Sequence, residues 1–286
     1  MRRVKSASST SKKTSSILDR AKPVSEMETV ISACFYGRSG TGKTTVAGSF
    51  PKPILFVDIG EKGTDSVADQ DGIESIRVES WGEVEDIYWA VKGGGTKYKT
   101  LVVDSVHAMQ AIAITEGKLL NGKKVNDQTS KRDFGTASGI LNTWIPNYRD
   151  LIEDGINVVF LCHDKLTEVD SDEEDDGMIL PEVGPRLMPS VAGTLLGAVN
   201  IVGHTFIREE VVKALKPGQK RTRKIEYCMR IGPHSYYATK IRRPKSFSVP
   251  EYIVDPSYDK LLNVIQGKTE RTQPTPRRAV RRTNKR

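Results

Sequence analysis

The chain has 286 residues, of which 37% are hydrophobic, and it carries 44 lysines and arginines against 36 aspartates and glutamates. No apolar run approaches the roughly 18 residues of a membrane-spanning helix, and no apolar segment follows the basic N-terminus as it would in a secretory signal. These properties exclude a membrane protein and predict a soluble, intracellular protein with one principal domain.

The excess of basic residues lies at the two ends of the chain. Residues 1–26 and 267–286 are rich in Lys, Arg, Ser and Thr and poor in apolar residues. Such segments bury too little apolar surface to offset the entropy lost on ordering. We therefore expect two flexible basic arms around a core at 27–266. The arms either follow a phosphate backbone or serve solubility alone.

The core alternates short apolar runs with helical stretches. A helix is clearest at 136–153, where apolar residues recur at spacings of three and four, and Pro146 should kink it. Cys34, Cys162 and Cys228 lie in strand-like runs and are expected to be reduced core residues. Five runs predict strands buried on both faces, namely TVISACFYG, PILFVDI, IESIRV, TLVVDSV and NVVFLCH, and AVNIVGHTFI, IEYCMRIG and SYYATKI predict later strands. The order predicts an α/β fold with a mostly parallel twisted sheet, flanked by helices and extended by antiparallel strands at its C-terminal side.

The segment GRSGTGKTT at 37–45 follows the first strand and opens a helix. It matches the pattern G-x-x-x-x-G-K-[ST], in which backbone amides and a helix N-terminus surround phosphate groups. The alternative is a glycine-rich turn that binds no ligand. The strand-loop-helix context favours a loop that binds ATP. The residues predicted to bind ATP here are Gly37, Arg38, Ser39, Gly40, Thr41, Gly42, Lys43, Thr44 and Thr45.

The side chains of this site should have different roles in phosphate chemistry. Lys43 would neutralise the β- and γ-phosphates, and the Thr44 hydroxyl would bind Mg²⁺. TLVVDSV places Asp104 at a strand's carboxyl end, where it would be the second Mg²⁺ ligand, although such an aspartate can also be a cap. Ser105 follows it, so the carboxylate that orients the attacking water should be Glu61, or alternatively Asp58, after the second strand.

In their order and relative spacing, GRSGTGKTT, FVDIGEKGTD, LVVDSV, VVFLCH and YYATKIRRP resemble the core of RecA-like recombinases. The resemblance covers 29–265 and is strongest to compact RecA-like ATPases encoded by bacteriophages, some of which are single-strand annealing proteins. It implies that His163 senses the γ-phosphate and that Asp65 contacts adenine. It also implies that Lys240 and Arg242 reach the nucleotide of a neighbouring subunit. A structural role is the alternative for His163 and for the two cations.

Two segments are candidates for contact with DNA. Residues 116–135 combine five cations with Phe134, whose ring could stack on a base, or they form a solvated linker. The acidic run Asp170 to Asp176 would repel phosphates. This leaves Arg186 and the segment 184–193 as the second candidate.

The resemblance therefore implies an ATP-hydrolysing recombination protein that uses ATP and Mg²⁺, binds single-stranded DNA and promotes annealing. It implies a homo-oligomer, ring or filament, in the cytoplasm (that of the host cell if a bacteriophage encodes it), with a single-strand-binding protein as a possible partner and no membrane. The alternative is a replication ATPase that loads a helicase and acts mainly through a protein partner.

Overall fold

The computed structural model describes residue 23 and residues 29–61, 63–166, 183–212 and 222–268. The predicted arms therefore lie almost wholly outside the described residues, as does the acidic run Asp170 to Asp176. The strands are β1 (Ser32–Tyr36), β2 (Ile54–Asp58), β3 (Ile73–Arg77), β4 (Thr100–Asp104), β5 (Asn157–Cys162), β6 (Asp164–Leu166), β7 (Val183–Pro185), β8 (Ile201–Val212), β9 (Thr222–Arg230), β10 (Lys240–Ile241) and β11 (Tyr252–Val254). The α-helices are α1 (Lys43–Gly48), α2 (Trp81–Lys92), α3 (Val106–Leu120), α4 (Lys131–Arg149), α5 (Pro189–Ala198) and α6 (Tyr258–Ile265), and 3₁₀-helices span Gly63–Val67 and Asp150–Asp154.

Nine of the described strands form one sheet in the order β11-β9-β8-β1-β5-β4-β2-β3, with β10 also paired to β8. The pairs from β8 to β3 along this order are parallel, and β9, β10 and β11 are antiparallel to their neighbours. The predicted fold class is confirmed. Because parallel strands end at the same edge, the loops after β1, β2, β4 and β5 meet there.

Continuous apolar strands arise because both faces of the sheet are covered. Val158 and Phe160 of β5 face the core beneath α2 to α5, whereas Val159 and Leu161 face the core beneath α1 and α6. Successive side chains of a strand point to opposite faces, so a strand between two helical layers needs an apolar residue at every position. Cys34, Cys162 and Cys228 are buried, as predicted, and each is a free cysteine.

Three predicted elements differ from those observed. β3 is the edge strand and its residues 74–77 are exposed, with Ile76 at 44%, so the expectation that IESIRV is buried on both faces was wrong. The clearest helix begins at Lys131 rather than 136, continues through Pro146 and becomes 3₁₀ at Asp150. SYYATKI contributes only the two-residue β10.

The β8–β9 hairpin extends beyond the rest of the sheet. β8 pairs with β1 only over residues 201–204, and from Thr205 onward it pairs with β9 alone. The hairpin therefore projects past the carboxyl end of β1, over the loop that opens at Gly37. No helix within the described ranges combines the length and hydropathy needed to cross a bilayer.

Candidate active site

The loop after β1 is shaped by glycines and by contact with β8. A Cβ on Gly37 would lie 2.4 Å from the backbone oxygen of Thr205, so a side chain has no room there. Gly42 has φ +87°, in the left-handed region that favours glycine, and α1 begins at the next residue. The Thr41 hydroxyl bonds the Arg38 carbonyl at 2.8 Å and the Thr205 hydroxyl at 2.7 Å. Local sequence and sheet pairing together hold the loop open toward solvent.

A cavity of about 620 Å³ lies against this loop, within the size range of small-molecule sites. It is bounded by three groups of residues: the loop and the first turn of α1, the exits of β2, β4 and β5, and the C-terminal strands. The lining residues include Lys43, Thr44, Glu61, Asp104, His163 and Tyr227.

The ammonium group of Lys43 folds back onto its own loop. Nζ donates to the carbonyl oxygens of Gly37 and Arg38, both at 2.9 Å. Burial lowers the pKa of Lys43, and the nearby Asp104 carboxylate opposes that change. The cation thus lies where phosphate oxygens would provide stronger, charge-assisted acceptors than these carbonyls.

Thr44 and Asp104 meet as the sequence predicts. Thr44 Oγ1 donates to Asp104 Oδ2 at 3.4 Å, and Asp104 is only 6% exposed. Burial raises the pKa of Asp104 to about 6, and the charge of Glu61 adds to the rise. Hydroxyl and carboxylate oxygens are the ligands Mg²⁺ prefers, and a divalent cation would supply the missing counter-charge. The pair therefore fits the predicted metal.

Glu61 lies at the centre of a polar cluster at the exits of β2, β4 and β5. Its Oε1 accepts from the Ser105 hydroxyl at 3.1 Å and lies 3.1 Å from His107 Nε2. Its Oε2 lies 3.3 Å from His163 Nε2. The Ser105 hydroxyl also contacts His107 Nδ1 at 2.7 Å. Glu61 and His163 line the cavity, as the predicted water-orienting and phosphate-sensing roles require.

The sequence did not single out His107. It lies three residues after Asp104, at the start of α3, and reaches Glu61 because β4 and β2 are neighbouring strands. The signal in the sequence that could have indicated His107 is its position just after β4, the strand that ends at Asp104. Asp58, the alternative to Glu61, is buried at the end of β2 and is not part of the cavity lining described here.

Other predicted nucleotide contacts lie outside the cavity of their own chain. Asp65 is exposed on the 3₁₀-helix, where Gly63 and Ser66 supply the described lining instead. Lys240 Nζ donates to the carbonyls of Leu196 and Gly197 at 2.7 and 3.0 Å, and Arg242 also donates to Gly197. The two cations therefore cap the C-terminal end of α5, an arrangement favoured by the helix dipole. Their contact with a neighbouring subunit's nucleotide stays a prediction.

The C-terminal strands supply a wall that the sequence did not indicate. Tyr227 of β9 lies 3.5 Å from the position of a Cβ on Gly42 and is 45% exposed. The backbone of Asp255, the residue after β11, donates to the Tyr227 carbonyl at 2.7 Å, so that Asp255 and Pro256 continue the wall. An exposed ring beside a phosphate loop is suited to stacking on a nucleobase.

The first DNA candidate forms the turn between α3 and α4. Lys123 makes contacts within the turn: its ammonium bonds Asp133 at 2.6 Å and Ser130 at 2.9 Å. Phe134 is 43% exposed, and Leu119, Leu120 and Val125 are also exposed. In the second candidate segment, Arg186 is exposed and its backbone N donates to the His163 carbonyl at 2.8 Å.

Comparisons with known proteins identify a domain type. A family model described as AAA domain matches residues 29–243. No curated protein matches the sequence. Among solved structures, a KaiC-like protein from the hyperthermophilic archaeon Pyrococcus horikoshii OT3 matches at 16% identity over 79% of this chain and 89% of that chain. The TM-score of this match is 0.39.

Proposed function

The chain belongs to the AAA domain family, and from this premise we propose that it is an ATPase whose nucleotide state controls its hold on single-stranded DNA, promoting annealing. The observation that carries the proposal is the convergence of Lys43, Thr44, Asp104 and Glu61 on one cavity beside the phosphate loop. The amides of the loop and Lys43 would hold the phosphates. Thr44 and Asp104 would hold Mg²⁺, which neutralises charge on the β- and γ-phosphates when bound.

Glu61 is proposed to orient the attacking water. Its carboxylate borders the cavity, and Ser105 and His163 restrict its orientation from two sides. A positioned carboxylate that accepts a proton from water contributes about 10²- to 10⁴-fold to the rate.

A backbone link joins this site to a candidate DNA segment. His163 follows β5 and borders the cavity, and its carbonyl accepts from Arg186 in the segment 184–193. A shift of His163 toward a γ-phosphate would therefore act directly on Arg186. This contact supports the proposed relay from nucleotide to DNA.

The orientation of α4 supports a role for the α3–α4 turn at the same edge. Arg149, at the C-terminal end of α4, donates to the carbonyl of Ala198, which precedes the amino end of β8. The 19 residues of α4 span about 28 Å, whereas the five- and six-residue strands span about 17–20 Å. We infer that the turn extends past the carboxyl edge of the sheet, where the cavity also lies.

The test compares ATP turnover of the full chain with and without single-stranded DNA. We expect turnover to rise with DNA and Lys43→Ala to abolish it, whereas Lys99→Ala, at an exposed lysine before β4, should leave it intact. An annealing assay with complementary oligonucleotides follows the product. If DNA neither binds nor changes turnover, the DNA part of the proposal fails while the ATPase part stands.

Exposed aliphatic residues favour a second candidate function, the loading of a helicase through a protein partner. Leu119, Leu120 and Val125 are exposed at the α3–α4 turn, and aliphatic side chains bind proteins better than they bind phosphate backbones. Leu119→Ser with Leu120→Ser should then abolish capture of a purified helicase or single-strand-binding protein and leave DNA binding unchanged. Loss of DNA binding alone would favour annealing.

A further inference from the structure

We propose that Glu61, His107 and His163 form a binding site for a divalent transition-metal ion of the Zn²⁺ class, separate from the Mg²⁺ position at Thr44 and Asp104. One carboxylate oxygen and one ring nitrogen from each histidine lie within 4.8 Å of one another. In a tetrahedral zinc site with bonds near 2.0–2.2 Å, ligand atoms are about 3.3–3.5 Å apart. Glu61 Oε1 lies 3.1 Å from His107 Nε2 and Glu61 Oε2 lies 3.3 Å from His163 Nε2, so each histidine approaches one oxygen of the carboxylate at close to this spacing.

A count of protons shows why this cluster favours a cation. Ser105 Oγ, the His107 ring and Glu61 Oε1 form a triangle with contacts of 2.7, 3.1 and 3.1 Å. Each contact needs one proton, but a hydroxyl and a neutral imidazole supply only two. The third contact then sets one lone pair against another.

A metal ion resolves this conflict by taking the place of one of the three protons. With a metal between Glu61 Oε1 and His107 Nε2, His107 Nδ1–H donates to Ser105 and the Ser105 hydroxyl donates to Glu61. A ligating histidine whose other nitrogen is held by a hydrogen bond is the usual arrangement in metal sites.

The donor set selects the kind of metal. Two imidazoles and one carboxylate suit Zn²⁺ and its first-row neighbours, whereas Mg²⁺ prefers oxygen ligands alone. Glu61 and His163 border the cavity, so a fourth position would open toward water or a phosphate oxygen. Three protein ligands with one open position characterise reactive rather than purely structural zinc sites.

One consequence rests on the proposed function. If Glu61 orients the attacking water, a metal that occupies its oxygens removes that acceptor. Zn²⁺ should then slow ATP turnover without displacing Mg–ATP, because Lys43, Thr44 and Asp104 are not its ligands.

The test titrates ZnCl₂ into the chelator-treated full chain by calorimetry. We expect one tight site that excess Mg²⁺ does not compete for. His107→Asn and His163→Asn should each weaken it by more than about 100-fold, the upper range for losing an outer-sphere partner. His234→Asn is the matched control, because His234 lies outside the cluster and accepts from the Tyr236 amide. Absence of a site in the wild-type chain, or equal affinity in the variants, overturns the proposal.

Two further readouts keep the result interpretable. Co²⁺ bound to the wild-type chain should show visible bands of nitrogen and oxygen ligation without thiolate charge transfer, which tests the ligands even if a variant misfolds. A thiolate band, or no band, overturns the assignment. Zn²⁺ should inhibit ATP turnover in the wild type and in His234→Asn alike. Metal binding without any ATPase activity would contradict the proposed function and leave the metal site standing.

Discussion

At the scale of the residue, the cavity combines groups that are costly to bury with groups that ATP chemistry needs. Asp104 is buried beside another carboxylate, and Lys43 is partly desolvated on its own loop. Such arrangements lower the stability of the ligand-free protein, and the phosphates and metal of the proposed function would offset that cost. Stability measurements can therefore distinguish a functional role of these residues from a structural one.

Asp104→Asn should stabilise the ligand-free protein at neutral pH. In the folded protein the pKa of Asp104 is raised from 3.8 to about 6. Ionisation of Asp104 therefore destabilises the fold, and the full destabilisation is present above pH 6 and absent below pH 4. A shift of this size corresponds to about 1–3 kcal/mol. Chemical unfolding of both proteins at pH 4 and pH 7.5 measures this, and the gain should be present only at pH 7.5. A destabilised variant at pH 7.5 would mean that Asp104 is mainly a structural cap.

Glu61→Gln should lower kcat by about 10²- to 10⁴-fold while the Kd for ATP changes little, because an amide cannot accept the proton of water. Single-turnover kinetics and nucleotide binding measure the two quantities separately. Glu79→Gln, on the exposed loop before α2, is the isosteric control. Equal losses in binding and turnover would instead assign Glu61 to holding the loop.

Tyr227→Ala should weaken ATP binding by removing the ring that borders the loop at Gly42. A stacked aromatic pair contributes about 0.5–1.5 kcal/mol, which corresponds to roughly 2- to 13-fold in Kd. Fluorescence titration with ATP and with inorganic triphosphate checks it, since only ATP carries a base. Tyr236→Ala, at another exposed tyrosine, should bind ATP as the wild type does.

At the scale of the element, two segments bear on the proposed function: the β8–β9 hairpin, which borders the cavity through Tyr227, and the α3–α4 turn. The hairpin's inner part is fixed by pairing with β1, and the turn is held by Lys123, Ser130 and Asp133. Hydrogen bonds from Lys123 and from the Ser130 backbone keep the pKa of Asp133 below its usual range. These hydrogen bonds hold the turn and so keep the neighbouring Phe134 in a defined position.

Phe134→Ala should weaken binding of single-stranded DNA if this turn contacts it. Base stacking contributes about 1–3 kcal/mol per base, so Kd should rise roughly 5- to 150-fold. Anisotropy titration with a labelled oligonucleotide measures it, and Phe134→Tyr should keep most of the affinity. Unchanged binding in Phe134→Ala would move the DNA interface to 184–193 or to the arms.

At the scale of the whole molecule, charge and assembly decide how a DNA site would be used. The segment 269–286 carries seven lysines and arginines against one glutamate. Lys240 and Arg242 cap α5 within their own chain. Their predicted contact with a neighbouring subunit's nucleotide would occur only in an oligomer, either a ring or a filament. Electron microscopy with ATP and single-stranded DNA distinguishes these forms from a monomer.

Removal of 269–286 should reduce the salt dependence of single-stranded DNA binding. Each lost phosphate contact lowers the slope of log K against log salt by about 0.7. Titrations at several salt concentrations compare the full and shortened chains, with ATP turnover in the absence of DNA as the control for folding. An unchanged slope would assign this arm to solubility or to a protein partner.

Sequence alone determined the parts of the site that depend on local pattern. The phosphate loop, Asp104 and Glu61 each directly follow or lie near the carboxyl end of a predicted parallel strand, and such ends share one edge. The apolar runs also predicted where strands occur. The same reasoning failed for β3, because an apolar run does not reveal whether a strand is central or at an edge.

Only the tertiary structure decided which distant residues complete the cavity. Tyr227 reaches the loop at Gly42 through the pairing of β9 with β8 and of β8 with β1, and His107 meets Glu61 through the β2–β4 register. Local propensity and periodicity depend on neighbours in the chain, whereas register depends on the long-range packing of whole strands. A sequence therefore predicts the chemistry at a strand's end more readily than which side chains from elsewhere will face it.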